Sequence, residues 1–183
     1  MKLLGRLVVT VFRASRMPSV DPLDEVVSFW RVLPFDLDLY GHMNNGRYPM
    51  IMDLARMEYS VRVGLLTRIM KKGWKVVIGS IHVQFKVSLK PFQKYCVHTK
   101  LLYWDDRAFY FRHEFRSLET SLPEEQLVYA VGYVRTVFKD GDVKLIPQDV
   151  IGMTEHGGHK PYLPHELLIR FPQLSDQGES ITE

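Results

Sequence analysis

The chain has 183 residues, of which 46% are hydrophobic and 25% are charged, and its formal net charge is +3. These values are ordinary for one globular domain, and the charge is too small to indicate a nucleic-acid partner. The single cysteine, Cys96, excludes an intrachain disulfide and a multi-thiolate metal site. We expect Cys96 to be a small buried residue and the protein to be cytoplasmic.

The N-terminal segment is basic and contains no acidic residue before position 21. Its cations are Lys2, Arg6, Arg13 and Arg16. They surround the apolar run 7–12, which is too short to span a bilayer. As a helix, the segment would group Leu3, Leu4, Leu7, Val8 and Val11 on one face. Residues 1–16 are then expected either to lie on an anionic membrane surface or to pack on their own domain or a partner subunit.

The next elements alternate between strand and helix patterns. The apolar run 26–33 predicts a strand that ends at Pro34. Apolar residues at helical spacing predict a long helix over 49–64, with Pro49 in its first turn and Gly64 at its end. A second, shorter helix is expected over 65–72.

The rest of the chain is rich in strand-forming residues. Val, Ile, Tyr and Phe are dense in four segments, and turn residues separate these segments. The segments are 75–88, 92–104, 107–118 and 126–139. One early strand, one long helix and four consecutive strands predict an α+β fold in which an antiparallel sheet of about five strands packs against the helix. We expect a short helix over 165–170, and we divide the chain into a basic segment (1–22), a single domain (23–172) and a loose polar tail (173–183).

The polar residues with chemical potential are concentrated in residues 36–48. This segment reads Asp-Leu-Asp-Leu-Tyr-Gly-His-Met-Asn-Asn-Gly-Arg-Tyr. It precedes a helix whose first N–H groups lack intrahelical partners, and such a terminus can hold an oxyanion. Asp, Asn and Gly are also the usual turn residues, so an ordinary turn is the alternative interpretation.

The same segment resembles the signature of hotdog-fold acyl thioesterases of the 4-hydroxybenzoyl-CoA thioesterase and plant acyl-ACP thioesterase types. The resemblance lies in Asp36-Leu37-Asp38, in residues 41–45, in Tyr48, and in Asp53, Ala55 and Arg56. In outline it covers about residues 24–147. It implies a hotdog fold, in which the sheet wraps around the long central helix, and it places the catalytic acid of those families at Asp38.

A thioesterase site needs a base or nucleophile and donors aimed at the developing oxyanion. Asp38 is the candidate for the first role, either by activating water or by attacking the acyl carbon. His42 is expected to hydrogen-bond the thioester or protonate the leaving thiolate, and Asn44 and Asn45 to fix the carbonyl. The substrate-binding candidates are Tyr40, Gly41, Met43, Tyr48 and Met52.

Each of these roles has a structural alternative. His42 and Asn44 are also suited to bracing the loop, and Asn45 to capping the helix. Asp36 is expected to close the turn and Asp53 to pair with Arg56, although each is a rival for the role of base. Two features depart from the plant enzymes: Tyr40 stands where they carry a catalytic Asn, and residues 81–91 contain no acid.

The predicted function is hydrolysis of acyl-CoA, or of acyl-ACP, without metal or cofactor. By resemblance, we expect a homodimer or a dimer of dimers with sites at the subunit interface. Exposed basic residues are candidates for contacts with the phosphates of CoA: Lys86, Lys90, Lys94 and Arg107. The competing interpretation is a non-catalytic acyl-binding or membrane-associated hotdog scaffold. A hotdog dehydratase is a weaker alternative.

Overall fold

The computed structural model describes residues 3–119, 121, 127–154 and 159–175. Its frame is an antiparallel sheet in which the strands follow the order β1-β3-β4-β5-β2. These strands are β1 (Val26–Arg31), β2 (Lys75–Phe85), β3 (Lys94–Trp104), β4 (Phe109–Ser117) and β5 (Val128–Asp140). A short strand, β6 (Val143–Lys144), pairs with the end of β5. The predicted antiparallel sheet of five main strands is confirmed. The sequence Ser121-Leu122-Pro123 predicts a turn between β4 and β5, and most of it lies outside the described residues.

Five α-helices accompany the sheet in the described part of the chain. They are α1 (Leu3–Ala14), α2 (Arg47–Arg62), α3 (Leu65–Lys72), α4 (Pro147–Ile151) and α5 (His165–Arg170). The predicted long helix begins two residues earlier than expected, and the predicted helices 65–72 and 165–170 are confirmed. Gly64 and Gly73 have φ of 74° and 67°, so a residue without Cβ closes α2 and α3 in the left-handed region.

Helix α2 packs on one face of the sheet and forms the main core with it. Tyr48, Ile51, Met52 and Ala55 of α2 are buried against strand residues that include Val97, Phe115 and Val134. The approach is close at Gly132 of β5, where a Cβ atom would lie 2.1 Å from Cε of Met52. Glycine at this position therefore leaves room for the Met52 side chain in its observed position.

The opposite face of the sheet is covered by the C-terminal part of the chain. Phe171 and Leu174, which follow α5, are buried against strand residues such as Tyr110. The packed chain thus extends through Leu174, past the boundary predicted at residue 172. Residues 176–183, the remainder of the predicted tail, lie outside the described residues. Cys96 is buried as predicted, and burial raises the pKa of its thiol.

Helix α1 packs on α2 with its polar side inward. Arg6 is buried and forms a two-pronged ion pair with Asp36, with Nη2 2.6 Å from Oδ2 and Nη1 3.1 Å from Oδ1. About two turns further along the helix, Arg13 reaches Oε2 of the buried Glu58 at 2.6 Å. Two ion pairs therefore fix the helix to the domain. Among the helices described here, none is long and apolar enough to cross a membrane.

We expect replacement of Arg6 by Met to lower the free energy of unfolding by about 3 kcal/mol, because it leaves the Asp36 carboxylate buried without its main cation. Urea unfolding of Arg6→Met and of the native protein measures this loss. The double variant Arg6→Met/Asp36→Leu is the control and should recover part of the loss, because no uncompensated charge remains. A loss below about 1 kcal/mol in the single variant would mean that the pair behaves like an exposed one.

Candidate functional site

The polar segment 36–48 forms a tight loop between β1 and the first turn of α2. A short 3-10 turn, Pro34–Asp36, precedes the loop, and Leu37 and Met43 form an isolated antiparallel bridge across it. The Asp38 N–H donates to the carbonyl oxygen of His42 at 2.9 Å. Gly41 turns the chain with φ of 76°, a value that favours glycine. The loop therefore has a defined conformation, in which Asp38 lies next to the Leu37–Met43 bridge.

Asp38 is half-buried, and one of its carboxylate oxygens is fixed by the loop. Oδ1 accepts the N–H of Tyr40 at 2.9 Å and the N–H of His42 at 3.3 Å. Oδ2 has no hydrogen-bond partner among the described residues. The carboxylate is thus oriented through one oxygen, and the other keeps the lone pairs that a base or a nucleophile needs.

Nearly all backbone N–H groups between Tyr40 and Tyr48 donate hydrogen bonds to acceptors in the loop or, in the case of Met43, to Leu89. The acceptors are atoms of Asp36, Asp38, Asn44, Asn45 and Leu89. Asn45 is the exception: within the part of the chain that the structure describes, its N–H makes no hydrogen bond. The sequence predicts several backbone N–H donors for an oxyanion near the start of the helix. In the structure, the Asn45 N–H is the main donor that remains available.

The start of α2 corrects one expectation. Gly46 occupies the N-cap position and no side chain caps the helix, so the predicted capping by Asn45 is wrong. Instead, Oδ1 of Asn44 accepts the Gly46 N–H at 2.8 Å, within the turn that precedes the helix. The side chain of Asn44 therefore braces the loop, as one of the two sequence interpretations proposed.

The remaining candidate residues divide into an exposed and a buried group. Tyr40, Gly41, His42, Asn44 and Asn45 are exposed at the surface of the loop. The buried group contains Met43, Tyr48 and Met52. The Tyr48 ring contacts the rings of Phe85 and Phe115, and burial raises the pKa of Tyr48 to about 12. These three side chains belong to the core of the protomer, and their role as substrate contacts stays a prediction.

The two other acids of the segment and the helix have structural partners. Asp36 is buried, its Oδ2 accepts the Leu33 N–H at 2.9 Å, and it pairs with Arg6. It closes the turn, as predicted. Asp53 is 65% exposed and pairs with Arg56 one turn along α2, also as predicted. Asp38 is therefore the acid of this region without a cationic partner among the described residues.

A buried polar chain links α2 to the sheet, and sequence reasoning did not identify it. Arg56 donates from Nη1 to Nε2 of His113 at 3.0 Å, and Nδ1 of His113 lies 3.0 Å from Oγ1 of Thr99. Arg56 has only donors, so Nε2 must accept and Nδ1–H donates to Thr99. Burial and the adjacent Arg56 charge lower the pKa of His113 well below its usual value, which keeps the imidazole neutral. The alternation of Phe111, His113 and Phe115 along β4 was the available signal for an inward-facing histidine.

A cavity of about 440 Å³ lies beside this polar chain, between the helices α1, α2 and α3 and the strands β2, β4 and β5, and α1 contributes Leu3 and Leu7 to its lining. Its lining is mostly apolar and includes Leu54, Met57, Ile69, Trp74, Phe111 and Phe138. Asp53 and Arg56 contribute polar groups. Asp38 does not line this cavity.

The described residues contain no group of three or more His, Cys, Asp or Glu side chains that could hold a metal ion. The chemical groups of the site are thus the Asp38 carboxylate, the His42 imidazole, the Asn44 and Asn45 amides and the Asn45 N–H. In a loop that carries both groups, a carboxylate can activate water toward a carbonyl carbon, and a free backbone donor can stabilise the oxygen that becomes negative. This arrangement suits acyl transfer to water.

The fold and the loop together define the class of protein. A 4-hydroxybenzoyl CoA thioesterase mutant, solved in complex with 4-hydroxybenzoyl CoA, aligns with a TM-score of 0.61 at 17% identity, over 70% of this chain and 96% of that chain. BH1999, a gentisyl-coenzyme A thioesterase, aligns with a TM-score of 0.55 at 23% identity, over 62% of this chain and 88% of that chain. These likenesses establish the hotdog fold.

The family model of the thioesterase-like superfamily matches residues 32–166, and the chain belongs to this superfamily. Protein THEM6 of Xenopus laevis is 36% identical over 112 residues, which are 61% of this chain and 54% of the relative. The probable thioesterase YBR096W of Saccharomyces cerevisiae is 24% identical over 119 residues, 64% of this chain and 50% of the relative. The chain spans about half the length of these curated relatives.

We expect the free energy of unfolding to fall as the pH drops below about 6.5. His113 then binds a proton in the unfolded chain, whereas its lowered pKa keeps it unprotonated in the folded chain. The stabilisation is fully present above the unfolded pKa and declines toward the lowered folded pKa, at most by about 1.4 kcal/mol per pH unit. Urea unfolding between pH 7.5 and 5, in buffers spaced by roughly half a unit, measures the slope.

His113→Gln is the test variant, since glutamine keeps an acceptor for Arg56 and a donor for Thr99 but does not titrate. It should be less stable at pH 7.5 and should show a shallower slope. His165→Gln, which changes an exposed histidine, is the matched control and should keep the native slope. A native slope in the His113 variant would contradict the assignment.

Proposed function

We propose that the protein hydrolyses acyl thioesters, with Asp38 as the base or nucleophile. Family membership and the hotdog fold support thioester hydrolysis in general. The observation that carries the assignment to Asp38 is its hydrogen bonding: Tyr40 and His42 amides hold Oδ1, and Oδ2 is left for chemistry. The other two acids nearby, Asp36 and Asp53, are each occupied by an arginine.

In the water route, Oδ2 of Asp38 removes a proton from a water molecule as its oxygen forms a bond to the thioester carbon. The carbonyl oxygen becomes negative, and the Asn45 N–H and the positive end of the α2 dipole stabilise it. The C–S bond then breaks, and the thiolate takes a proton from His42 or from Asp38. In the alternative route, Asp38 attacks the carbon itself, and water hydrolyses the resulting anhydride. Both routes give the free acid and the thiol.

The proposed carrier is coenzyme A or, as the second choice, acyl carrier protein. Lys86 and Lys90 support the first choice, since they are exposed on the segment that leads from β2 past the loop. This segment is tied to the loop, because the Met43 N–H donates to the carbonyl of Leu89 at 2.9 Å. The two ammonium groups are therefore suited to the phosphates of CoA.

We propose that the acyl group enters the cavity beside α2 and that a second copy supplies the loop. Strand β2 is an 11-residue edge strand, and it exposes Val76, Ile81 and Phe85. A long apolar edge of this kind needs to be covered. Antiparallel pairing of β2 with its copy would place the Phe85 end of one strand beside the Val76 end of the other.

This pairing would complete the site. Val76 lines the cavity, whereas Phe85 contacts Tyr48 at the start of α2, next to the Asp38 loop. The loop of one copy would therefore lie beside the cavity of the other. A homodimer with two composite sites follows, which accounts for the absence of Asp38 from the cavity lining of a single protomer.

We expect Asp38→Asn to lower kcat for acyl-CoA hydrolysis by about a hundredfold or more, because an amide can neither take a proton from water nor attack the carbonyl. Asparagine keeps the Oδ1 acceptor for the Tyr40 and His42 amides, so the loop should be preserved. Release of free thiol from acyl-CoA esters of short to long chain length is the measurement.

Asp142→Asn is the matched control, because it makes the same change at an exposed acid outside both the loop and the cavity. It should stay within about threefold of the native kcat. Equal turnover in the native and Asp38→Asn proteins would eliminate Asp38 as the base. If the native protein releases no thiol from any CoA or ACP ester, the acyl-binding role replaces catalysis.

The composite site can be tested by mixing two inactive variants. Asp38→Asn lacks the base, and Met57→Trp fills the cavity, so each homodimer should be inactive. After subunit exchange, a mixed dimer would combine the native loop of one chain with the open cavity of the other. We expect an equal mixture to regain about a quarter of the native activity, because half of the dimers are mixed and each has one complete site.

Light scattering on each variant first establishes that both are dimers, and thermal unfolding establishes that both are folded. A mixture that stays inactive although labelled subunits have exchanged would place loop and cavity of one site in the same chain. A native protein that is monomeric at assay concentration would contradict the pairing of β2.

A further inference from the structure

Helix α1 is oriented opposite to an ordinary surface helix. Its inward arc carries Arg6, Thr10 and Ala14, which are buried, Arg13, which reaches buried Glu58, and one apolar residue, Leu7, which packs against the core. The ion pairs of Arg6 and Arg13 hold this arc on the domain. A surface helix of a globular protein normally turns its apolar stripe inward and its charges outward.

The outward arc of α1 is apolar as a consequence. Leu4, Val8 and Phe12 follow one another at a spacing of four residues and are 71%, 61% and 56% exposed. Val9 is exposed on the same side of the helix. No acidic residue occurs in α1. Apolar side chains in such a continuous stripe mark a surface that is covered by something else.

The stripe continues into a groove between α1 and the edge strand β1. Val9, Phe29 and Leu118 line this groove together with Arg31 and Lys94. None of the described residues that line it is acidic. Arg6 and Arg13 also line it, but their charges are balanced by Asp36 and Glu58. The groove's own lining therefore leaves a positive charge, and one acid, Glu119, lines the adjoining pocket together with Arg31 and Lys94.

Arg31 and Lys94 are directly opposite each other in the register of β1 and β3. Like charges at opposed positions of an antiparallel pair destabilise a sheet, so folding alone does not explain them. Arg16 adds a third cation at the end of the stripe, where its guanidinium lies 3.5 Å from the centre of the Phe12 ring. Apolar side chains flanked by cations are the pattern of helices that lie in the interface of an anionic bilayer.

We propose that α1 docks the protein on an anionic phospholipid surface, with the helix parallel to the membrane. Leu4, Val8 and Phe12 enter the boundary between headgroups and acyl chains, and Arg16, Arg31 and Lys94 contact lipid phosphates. The two ion pairs hold the catalytic domain on the opposite side of the helix. This docking does not depend on the proposed hydrolysis.

A second copy of the chain is a poorer occupant for the same surface. A two-fold contact places identical patches against each other, so Arg31 and Lys94 would face their own copies without any acid in the groove to pair with. A bilayer that contains phosphatidylglycerol supplies the missing negative charge. The sign of the uncompensated charge thus favours the lipid.

The test is co-sedimentation of the full chain with vesicles of phosphatidylcholine alone and of phosphatidylcholine mixed with phosphatidylglycerol. The variant Leu4→Gln/Val8→Gln/Phe12→Gln removes the stripe. The control Met70→Gln/Val143→Gln/Ile169→Gln removes three equally exposed apolar side chains elsewhere. We expect the native protein and the control to bind the anionic vesicles, and the stripe variant to bind at least about tenfold more weakly.

A charge variant, Arg16→Gln/Arg31→Gln/Lys94→Gln, should lose most of the preference for anionic vesicles while retaining a native melting temperature. The proposal is overturned if the native protein fails to bind anionic vesicles, or if the stripe variant binds as well as the control. It is also overturned if no vesicle is bound and the stripe variant has half the native molar mass in light scattering, since the stripe would then be a contact between copies.

Discussion

The buried ion pair between Arg6 and Asp36 connects the three parts of the molecule that matter most. Arg6 belongs to α1, and Asp36 ends the short turn that leads into the Asp38 loop. The backbone oxygen of Asp36 also accepts the Asn44 N–H at 2.8 Å, on the far side of that loop. A displacement of Asp36 would therefore move both the N-terminal helix and the two ends of the candidate catalytic loop. Burying these charges costs solvation energy, and the bidentate geometry offsets much of it.

The same ion pair determines which side of α1 faces solvent. Burial of Leu4, Val8 and Phe12 would remove apolar area from water, and each side chain is worth roughly 1.5–3 kcal/mol when fully buried. Turning the helix to achieve this would leave Asp36 and Glu58 buried without their arginines, at several kcal/mol for each charge. The charged contacts therefore win. The outward apolar stripe is the consequence of this competition.

The sequence predicts elements whose signal is local and misses interactions whose partners are distant. Helical spacing located α2, strand-forming residues located the five main strands, and the turn chemistry around Asp38 identified the loop. Periodicity grouped Leu7 with Leu4 and Val8 on one apolar side of α1, whereas the structure turns Leu7 toward the core and leaves Leu4, Val8 and Phe12 outward. Arg6 and Asp36 are 30 residues apart, and Arg56 and His113 are 57 apart. Such pairs become apparent only when the fold brings their elements together. The free Asn45 N–H likewise depends on the conformation of the loop and has no side-chain signature.

If the proposed composite site is formed, the strand β2 couples subunit assembly to catalysis. β2 has unpaired backbone groups along its outer edge and apolar side chains on a face that α2 leaves partly open. In the proposed dimer, a second copy of the strand would satisfy both requirements at once. Val76 lies at the cavity end of β2 and Phe85 at the loop end, 9 residues further along the strand. Antiparallel pairing of two copies would therefore bring the cavity of one protomer beside the loop of the other. Substitutions that weaken this pairing should therefore reduce hydrolysis even where Asp38 and its hydrogen bonds are intact.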